Sequence, residues 1–344
     1  MAEVFDTADL SDVPQLLRLF RRADALGAEP VTPCASPDEL RLVARHPADG
    51  IVAAIAVTID RADRLARLHG LAVDPLHRGR GLGLRAVREL TDRVLATGLV
   101  DSLYTTDFAA REAFVGNGFR AMGFFPNPRI GTAALLVRHR EGVLGRRIPV
   151  THVPTELNGL LAAAGMGRRP APVPMPRHQD EPSTAELIDA PRFVADRFRE
   201  RVPVRFHPFH APNAILAATD FELYLHLNRR DGYCALVGAT PNAMAVAAHL
   251  DGIIRQLTDL GAPYLETLLP LHAGAELSEL LAHGFLPAAL YPALRPHGDA
   301  FHDYVVLARA NQPPAVHDID AEFRPFVEQY VNAWARQHLF LTSA

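Results

Sequence analysis

A short segment rich in glycine and arginine contains the residue types that bind phosphate. It reads Arg78-Gly79-Arg80-Gly81-Leu82-Gly83-Leu84 and lies between an apolar stretch and a segment with helical periodicity. Glycine lets backbone N–H groups converge on an anion, and the start of a helix adds the positive end of its dipole. The two arginines supply positive charge beside these amides. The segment therefore predicts a ligand that carries phosphate groups.

Three phosphate-binding patterns can be compared with this segment. A Walker loop requires a Lys-Ser/Thr pair after its last glycine, but Leu84 and Arg85 occupy those positions. The dinucleotide-binding pattern G-x-G-x-x-G requires glycine at position 84, although Asp101 does follow at about the distance that this pattern expects. It is the weaker alternative. The third pattern, Arg/Gln-x-x-Gly-x-Gly/Ala after a strand that ends in Val-x-Pro, is matched at every specified position.

A second signature follows downstream. Residues 99–106 predict a strand, residues 107–117 predict a helix, and Gly118-Phe119 predicts the turn into the next strand. Together the two signatures resemble the Gcn5-related N-acetyltransferase (GNAT) family, whose members bind the pyrophosphate of acyl-coenzyme A (acyl-CoA) at the glycine-rich loop. The resemblance implies acetyl-CoA, or another acyl-CoA, as cosubstrate.

The resemblance also implies which residues hold this cosubstrate. Backbone N–H groups at the end of the preceding strand would polarise the thioester carbonyl, and Asp107 stands where the family usually has asparagine. The implied cofactor-binding residues are Leu71, Ala72, Val73, Arg78, Gly79, Arg80, Gly81, Leu82, Gly83, Leu84 and Asp107.

Two catalytic positions of the family hold other side chains in this sequence. Phe114 replaces the tyrosine that protonates the departing thiolate in many members, and Arg67 replaces a glutamate that serves as base. His69 follows Arg67 on the same predicted strand, and its ordinary pKa of about 6.5 suits a general base. Tyr104, on the neighbouring predicted strand, is the candidate acid. Strict alternation would place His69 on the same strand face as residues 71 and 73.

Hydrophobic periodicity predicts the elements that surround these residues. A helix is expected from the capping segment at Ser11 onward, and a second short helix over residues 36–45. Residues 51–59 are short, almost wholly apolar and rich in β-branched residues, which favours a buried strand. Residues 66–73 predict the following strand, and residues 81–97 the helix after the glycine-rich loop.

The second half of the chain repeats features of the first. Gly118-Phe119 recurs as Gly284-Phe285, 166 residues later. The segment that corresponds to the glycine-rich loop, residues 237–244, contains one glycine and no cation. The predicted fold class is α/β, with two tandem GNAT-like domains, each a mixed, mostly antiparallel central sheet flanked by helices.

Three segments are predicted along the chain. Residues 1–145 form the N-terminal GNAT domain with the phosphate loop. Residues 146–184 contain a helix and an extended connector, because residues 168–176 are rich in proline. Residues 185–344 form a degenerate GNAT-like domain with a C-terminal helix. The two domains are expected to form a pseudo-dimer within one chain, an arrangement compatible with a monomer.

Composition argues against several classes of protein. The net charge of −4 at pH 7 disfavours a broad nucleic-acid surface, and two cysteines are too few for a disulfide framework. No apolar run approaches the ~18 residues of a membrane span, and the N-terminus lacks the pattern of a signal peptide. A cytoplasmic protein without membrane or nucleic-acid partners is expected. No metal site is expected either, since no carboxylate–cysteine set accompanies the histidine pairs His207/His210 and His297/His302.

Two functions remain open on these grounds. The first is an acetyl-CoA-dependent N-acyltransferase that acts on a small amine, with its chemistry in the N-terminal domain. The alternative is a non-catalytic acyl-CoA-binding sensor or partner protein, which the residues at positions 67 and 114 favour. The tandem arrangement resembles that of two-domain GNAT proteins from actinobacterial natural-product pathways such as the clavulanic acid cluster, which implies a role in antibiotic biosynthesis.

Overall fold

The computed structural model describes residues 3–23, 38–127, 131–166, 185–202, 210–313 and 320–339. The proline-rich segment at 168–176, Cys34 and His207 lie outside the described residues. The chain divides into two compact units. Unit 1 comprises Met1–Ala121, Ala134–Arg146 and Ala293–Phe301, and unit 2 comprises Met122–Ala133, Arg147–Pro292 and His302–Ala344.

Unit 1 is built on a mixed sheet with helices on both faces. Its elements are β1 (Val4–Thr7), α1 (Val13–Arg22), β2 (Glu39–His46), β3 (Gly50–Asp60), β4 (Leu65–Val73), α2 (Leu82–Ala96), β5 (Ser102–Thr105), α3 (Arg111–Val115) and, after β6 (Arg120–Asn127), β7 (Gly131–His139) from residue 134 onward. The strand order is β1-β2-β3-β4-β5-β7. β4 and β5 run parallel, and the other neighbours are antiparallel.

The helix predicted over residues 36–45 is wrong, because residues 39–46 form strand β2. This strand pairs with β1 along one edge and with β3 along the other. Val43 packs in the cluster beneath α1, and the next residue, Ala44, packs in the cluster beneath α2. Because consecutive residues are buried on opposite faces, both sides of this strand are covered. Such a strand lacks the alternation of apolar and polar residues that marks a half-exposed strand in a sequence.

The two main helices of unit 1 bury opposite faces of its sheet. Leu16, Leu19 and Phe20 of α1 pack on Ala54 and Ala72. On the other face, Leu82 of α2 packs on Ala53 and on Val73. The sequence predictions for α1, β3, β4 and α2 are confirmed to within one or two residues at their ends.

Unit 2 also contains a mixed arrangement of parallel and antiparallel strands. Its elements are β6 from residue 122 onward, α4 (Asn158–Ala163), β8 (Glu186–Ile188), α5 (Pro191–Arg201), β9 (Ala214–Ala217), β10 (Glu222–Asn228), β11 (Tyr233–Thr240), α6 (Met244–Ala247), α7 (Leu250–Asp259), β12 (Tyr264–Pro270), α8 (Gly274–Ala282), most of β13 (Leu286–His297) and of β14 (Ala300–Ala310), and α9 (Arg324–Leu339). The strand order is β6-β13-β14-β12-β11-β10-β9-β8. The pair β11–β12 is parallel.

The α1 core gives a test of this fold. Phe20 is 3% exposed, whereas Leu17 on the same helix is 39% exposed. Phe20→Ala should lower the free energy of unfolding by about 3–5 kcal/mol, because it removes a buried ring and leaves a cavity. Leu17→Ala, the matched control, should change it by less than about 0.5 kcal/mol. Urea denaturation followed by circular dichroism measures both values. Equal losses for the two variants would contradict the packing of α1.

Candidate functional site

A β-bulge in β4 decides which side chains share a face of the sheet. Ala56 lies opposite His69 and Ala54 lies opposite Ala72, so the two residues between His69 and Ala72 face the single residue Ile55. Ala54 and Ala72 both pack in the α1 cluster. Since Ala56 is two residues from Ala54 on a regular strand, His69 also projects toward the α1 side.

The prediction that His69 shares a face with residues 71 and 73 is therefore wrong. Val73 lies opposite Ala53 and packs with Leu82 beneath α2. The extra residue of the bulge reverses the alternation between His69 and Val73. Leu71 also faces α2, because its side chain lies 3.8 Å from a Cβ built on Gly83.

A cleft opens where β4 and β5 stop pairing. The two parallel strands pair only from Leu65 opposite Ser102 to Arg67 opposite Tyr104. Beyond these residues lies an open cleft of about 850 Å³, within the range of small-molecule sites. Its walls are β4 from residue 67 to residue 73, the end of β5 with α3, and the start of α2. The residues that line it are Arg67, Leu68, His69, Gly70, Leu71, Ala72, Val73, Gly83, Thr105, Thr106, Asp107, Ala109, Ala110, Glu112 and Ala113, with Ala23 and Arg78 at the edge.

The glycine-rich loop lies at one end of this cleft and needs glycine at two of its positions. Gly79 and Gly81 have φ values of +76° and +72°, in the left-handed region that other residues rarely adopt. Gly83 lies within α2, and a Cβ built on it would be 3.7 Å from Val73. The first two glycines set the path of the loop, whereas a Cβ at position 83 would make only ordinary van der Waals contact with β4.

The loop presents backbone N–H groups and cations. The Arg85 N–H donates to the Gly81 carbonyl at 3.0 Å, and the amides of Leu82, Gly83 and Leu84 precede this first bond of α2. Amides at this position have no acceptor within the helix and can bind an anion. The Arg78 guanidinium donates to the Val73 carbonyl at 3.3 Å and to the Ala23 carbonyl at 3.1 Å, which holds its charge beside the cleft.

Asp107 lies on the opposite wall of the cleft. Its carboxylate accepts a hydrogen bond from the Ala110 N–H at 3.2 Å, and its own N–H donates to Thr105 Oγ1 at 3.2 Å. Burial raises the pKa of Asp107, and the Ala110 amide offsets only part of this effect. A carboxyl group with a raised pKa keeps its proton to a higher pH than an exposed one does.

The two candidate catalytic residues differ in their access to the cleft. His69 is half-buried and lines it, with Nε2 3.0 Å from Thr58 Oγ1. Tyr104 lies opposite Arg67 in the sheet register but is only 4% exposed, and it is not among the described residues that form the cleft wall. Phe114 is fully buried and packs edge-on against Phe119 at 5.3 Å between ring centroids. Position 114 therefore serves the core in this protein.

The structure adds functional candidates that the sequence did not reveal. Thr58 lies on β3, eleven residues before His69, and becomes its hydrogen-bond partner only through the strand register. Thr105 and Thr106 are also among the residues that form the wall of the cleft. In the sequence, their position directly before Asp107 and at the end of a predicted strand was the feature that could have indicated a place in the site.

Comparison with known proteins identifies a family for part of the chain. Residues 12–119 match the acetyltransferase (GNAT) family. The chain therefore contains a GNAT domain over these residues, which supports an acetyltransferase in general terms. No match was found among curated proteins.

No helix among the described residues is long and apolar enough to cross a membrane.

Solved structures align with about two fifths of the chain. An aminoglycoside acetyltransferase in complex with coenzyme A is 15% identical, with 41% of this chain and 96% of that chain covered and a TM-score of 0.34. A spermidine N-acetyltransferase from Vibrio cholerae, in complex with CoA and spermine, is 13% identical, with 40% and 95% covered and a TM-score of 0.35. A GNAT-family acetyltransferase from Streptococcus pneumoniae is 15% identical, with 40% and 99% covered and a TM-score of 0.34.

Because burial raises the pKa of Asp107, we predict that Asp107→Asn increases the free energy of unfolding and that this increase depends on pH. In the unfolded chain this carboxyl group ionises at about pH 3.9, more readily than in the fold, so ionisation disfavours folding as the pH rises. Asp107→Asn keeps an oxygen for the Ala110 N–H and removes the buried charge. Its free energy of unfolding should exceed that of the wild type at pH 7, and the difference should disappear toward pH 4.

Asp74→Asn is the matched control for this experiment. Although burial raises the pKa of Asp74, the Leu76 amide and Arg22 lower it overall. This variant should therefore be less stable than the wild type at pH 7. Urea denaturation at several pH values measures both variants. A loss of stability in Asp107→Asn that is independent of pH would show that burial does not penalise this charge.

Proposed function

We propose that this protein is an acyl-CoA-dependent N-acyltransferase, with acetyl-CoA as donor and a small amine as acceptor, and that the reaction takes place in the unit 1 cleft. One observation carries the proposal: the glycine-rich loop lies at the end of the cleft that opens between β4 and β5. A single extended molecule can therefore place its phosphates on the loop and its thioester between the strands.

The loop supplies what a pyrophosphate requires. The amides of Leu82, Gly83 and Leu84 and the charge of Arg78 lie at the same end of the cleft. Arg80 is exposed on the loop and adds a second cation. From there, the backbone of residues 71–73 borders the cleft, where β4 no longer pairs with β5 and its polar groups can bind the acyl-thioester arm.

The acceptor amine is proposed to approach from the α1 side, where His69 projects. His69 would accept a proton from the ammonium group so that the nitrogen lone pair can attack the thioester carbonyl carbon. The C–N bond forms, the attacking nitrogen releases its second proton to solvent, the C–S bond breaks, and the CoA thiolate leaves and takes up a proton. Backbone N–H groups of residues 71–73 would stabilise the oxyanion that forms in between.

The proton for the thiolate cannot come from position 114. Phe114 has no ionisable group, and it is buried in the core. Asp107, whose pKa is raised by burial, lines the cleft and offers a carboxyl group on the wall opposite β4. Solvent in the open cleft is the other proton source. Tyr104, the acid suggested by the sequence, is buried beside Arg67 in the register and is the weaker candidate.

The substitutions at positions 67 and 114 favour a second candidate function. A protein that binds acyl-CoA without turning it over needs the loop and the cleft but neither acid nor base. Such a protein would act as an acyl-CoA sensor or as a partner of another enzyme. The two candidates share the acyl-CoA site and differ only in turnover.

For residues 185–344 we propose a degenerate GNAT-like fold that does not bind acyl-CoA. The parallel pair β11–β12 is followed by helices on the same plan as β4–β5, and a small pocket lies where the two strands diverge. This pocket is apolar, and Glu276 and Glu279 are among its lining residues. Two carboxylates repel a pyrophosphate. With this second domain, the proposed architecture of the whole chain resembles that of the tandem GNAT proteins of natural-product pathways.

The phosphate loop can be tested with a glycine that has a matched counterpart elsewhere. Gly81 and Gly98 both have positive φ, +72° and +69°, and a Cβ at either would meet nothing within 4 Å. Gly81→Val should weaken acetyl-CoA binding at least about tenfold, or 1.4 kcal/mol, because a branched residue cannot hold the loop path. Gly98→Val suffers the same backbone strain after α2 and should retain the affinity. Isothermal titration calorimetry measures both, and equal affinities would refute the loop assignment.

Turnover decides between the enzyme and the sensor. We expect release of free CoA from acetyl-CoA in the presence of a polyamine, an aminoglycoside or another small amine, followed with a thiol reagent. His69→Ala should lower kcat at least about tenfold at neutral pH, as loss of a general base does. Thr58→Val keeps the imidazole and removes its hydrogen-bond partner, so its loss should be smaller. Unchanged acetyl-CoA binding with no turnover on any amine would establish the sensor.

A further inference from the structure

Three side chains with metal-binding atoms converge behind the glycine-rich loop in unit 1. His46 ends β2, Asp49 lies in the turn to β3, and His77 lies in the helical turn Pro75–His77 that leads into the loop. His46 Nδ1 lies 2.9 Å from Asp49 Oδ2, and His77 Nε2 lies 3.1 Å from the same oxygen. One ligand atom from each residue lies within 4.8 Å of the others.

Hydrogen bonds to the described residues do not account for every ring nitrogen of the two histidines. His46 Nδ1 is buried and, despite its short distance from Asp49 Oδ2, does not have the geometry of a hydrogen bond to any described residue. A nitrogen lone pair and a carboxylate oxygen at this distance repel each other unless a proton or a cation lies between them. The His77 side chain is only 5% exposed, so solvent hardly reaches it.

We infer that His46, Asp49 and His77 form a binding site for a divalent transition metal, with Zn²⁺ as the best match. Two imidazoles and one carboxylate are a ligand set that Zn²⁺ accepts, whereas Ca²⁺ and Mg²⁺ prefer oxygen ligands alone. Tetrahedral bonds of ~2.1 Å separate ligand atoms by about 3.4 Å, so modest side-chain movements suffice. Asp49 is 48% exposed, which leaves a fourth position open to water.

The site connects two parts of unit 1 that meet only in the fold. A bound metal would tie the β2–β3 turn to the residues directly before Arg78. It would thereby restrict the conformation of the residues that lead into the glycine-rich loop. The site is complete without acyl-CoA, so its test is independent of the proposed enzymatic function.

The test uses the full-length chain after removal of metals with a chelator. Isothermal titration with Zn²⁺ should show one site per chain. Asp49→Asn and His46→Gln, at partly exposed positions, should each weaken this binding at least about tenfold, since loss of a ligand removes at least as much as loss of an outer partner. Co²⁺ should give the visible absorption of a four-coordinate site in the wild type, and this absorption should be lost in both variants.

Another histidine–carboxylate pair provides the control. The chain contains 16 histidines, so some background binding is expected. His249 Nε2 lies 3.2 Å from Asp220 Oδ2 in unit 2, without a third ligand in the described residues. Asp220→Asn should leave both the Zn²⁺ affinity and the Co²⁺ spectrum unchanged. The inference is overturned if Asp49→Asn and His46→Gln bind Zn²⁺ as the wild type does, or if Asp220→Asn weakens binding equally.

Discussion

The separation of β4 from β5 is the constraint on which the candidate site depends. The two parallel strands share hydrogen bonds over three residue pairs and then diverge. Backbone polar groups that leave a sheet need other partners, because an unpaired buried N–H or C=O is costly. β4 past residue 67 therefore borders a cleft in which a ligand with its own donors and acceptors can replace the missing strand.

The bulge in β4 directs the side chains that border this cleft to two faces of the sheet. It turns residue 69 toward α1 and residues 71 and 73 toward α2. The side chain that could act on an acceptor thus lies on one face, and the contacts between β4, α2 and the glycine-rich loop lie on the other. A regular strand would have placed both sets on the same face, where packing beneath α2 would have buried the histidine.

Charge distinguishes the two places where parallel strands diverge. In unit 1 the loop offers amides, Arg78 and Arg80, and it suits an anion. In unit 2 the pocket beside β11 and β12 is apolar and is lined in part by Glu276 and Glu279, and the Glu279 carboxylate accepts from His283 Nε2 at 3.1 Å. The two pockets therefore differ in their electrostatic environments, and the cationic one is the better match for an anion.

The sequence by itself determined the glycine-rich loop, helix α1, the buried strands β3 and β4, and the helix α2, because each depends on local spacing and periodicity. It also predicted the GNAT resemblance, which the match over residues 12–119 supports. Only the tertiary structure decided that residues 39–46 form a strand, since the burial of Val43 and Ala44 on opposite faces requires two helices that are distant in sequence. The same holds for the direction of His69, for its partner Thr58, and for the cluster of His46 and Asp49 with His77. These relationships arise from strand register and from a bulge, and a one-residue change in register reverses the face of every side chain that follows.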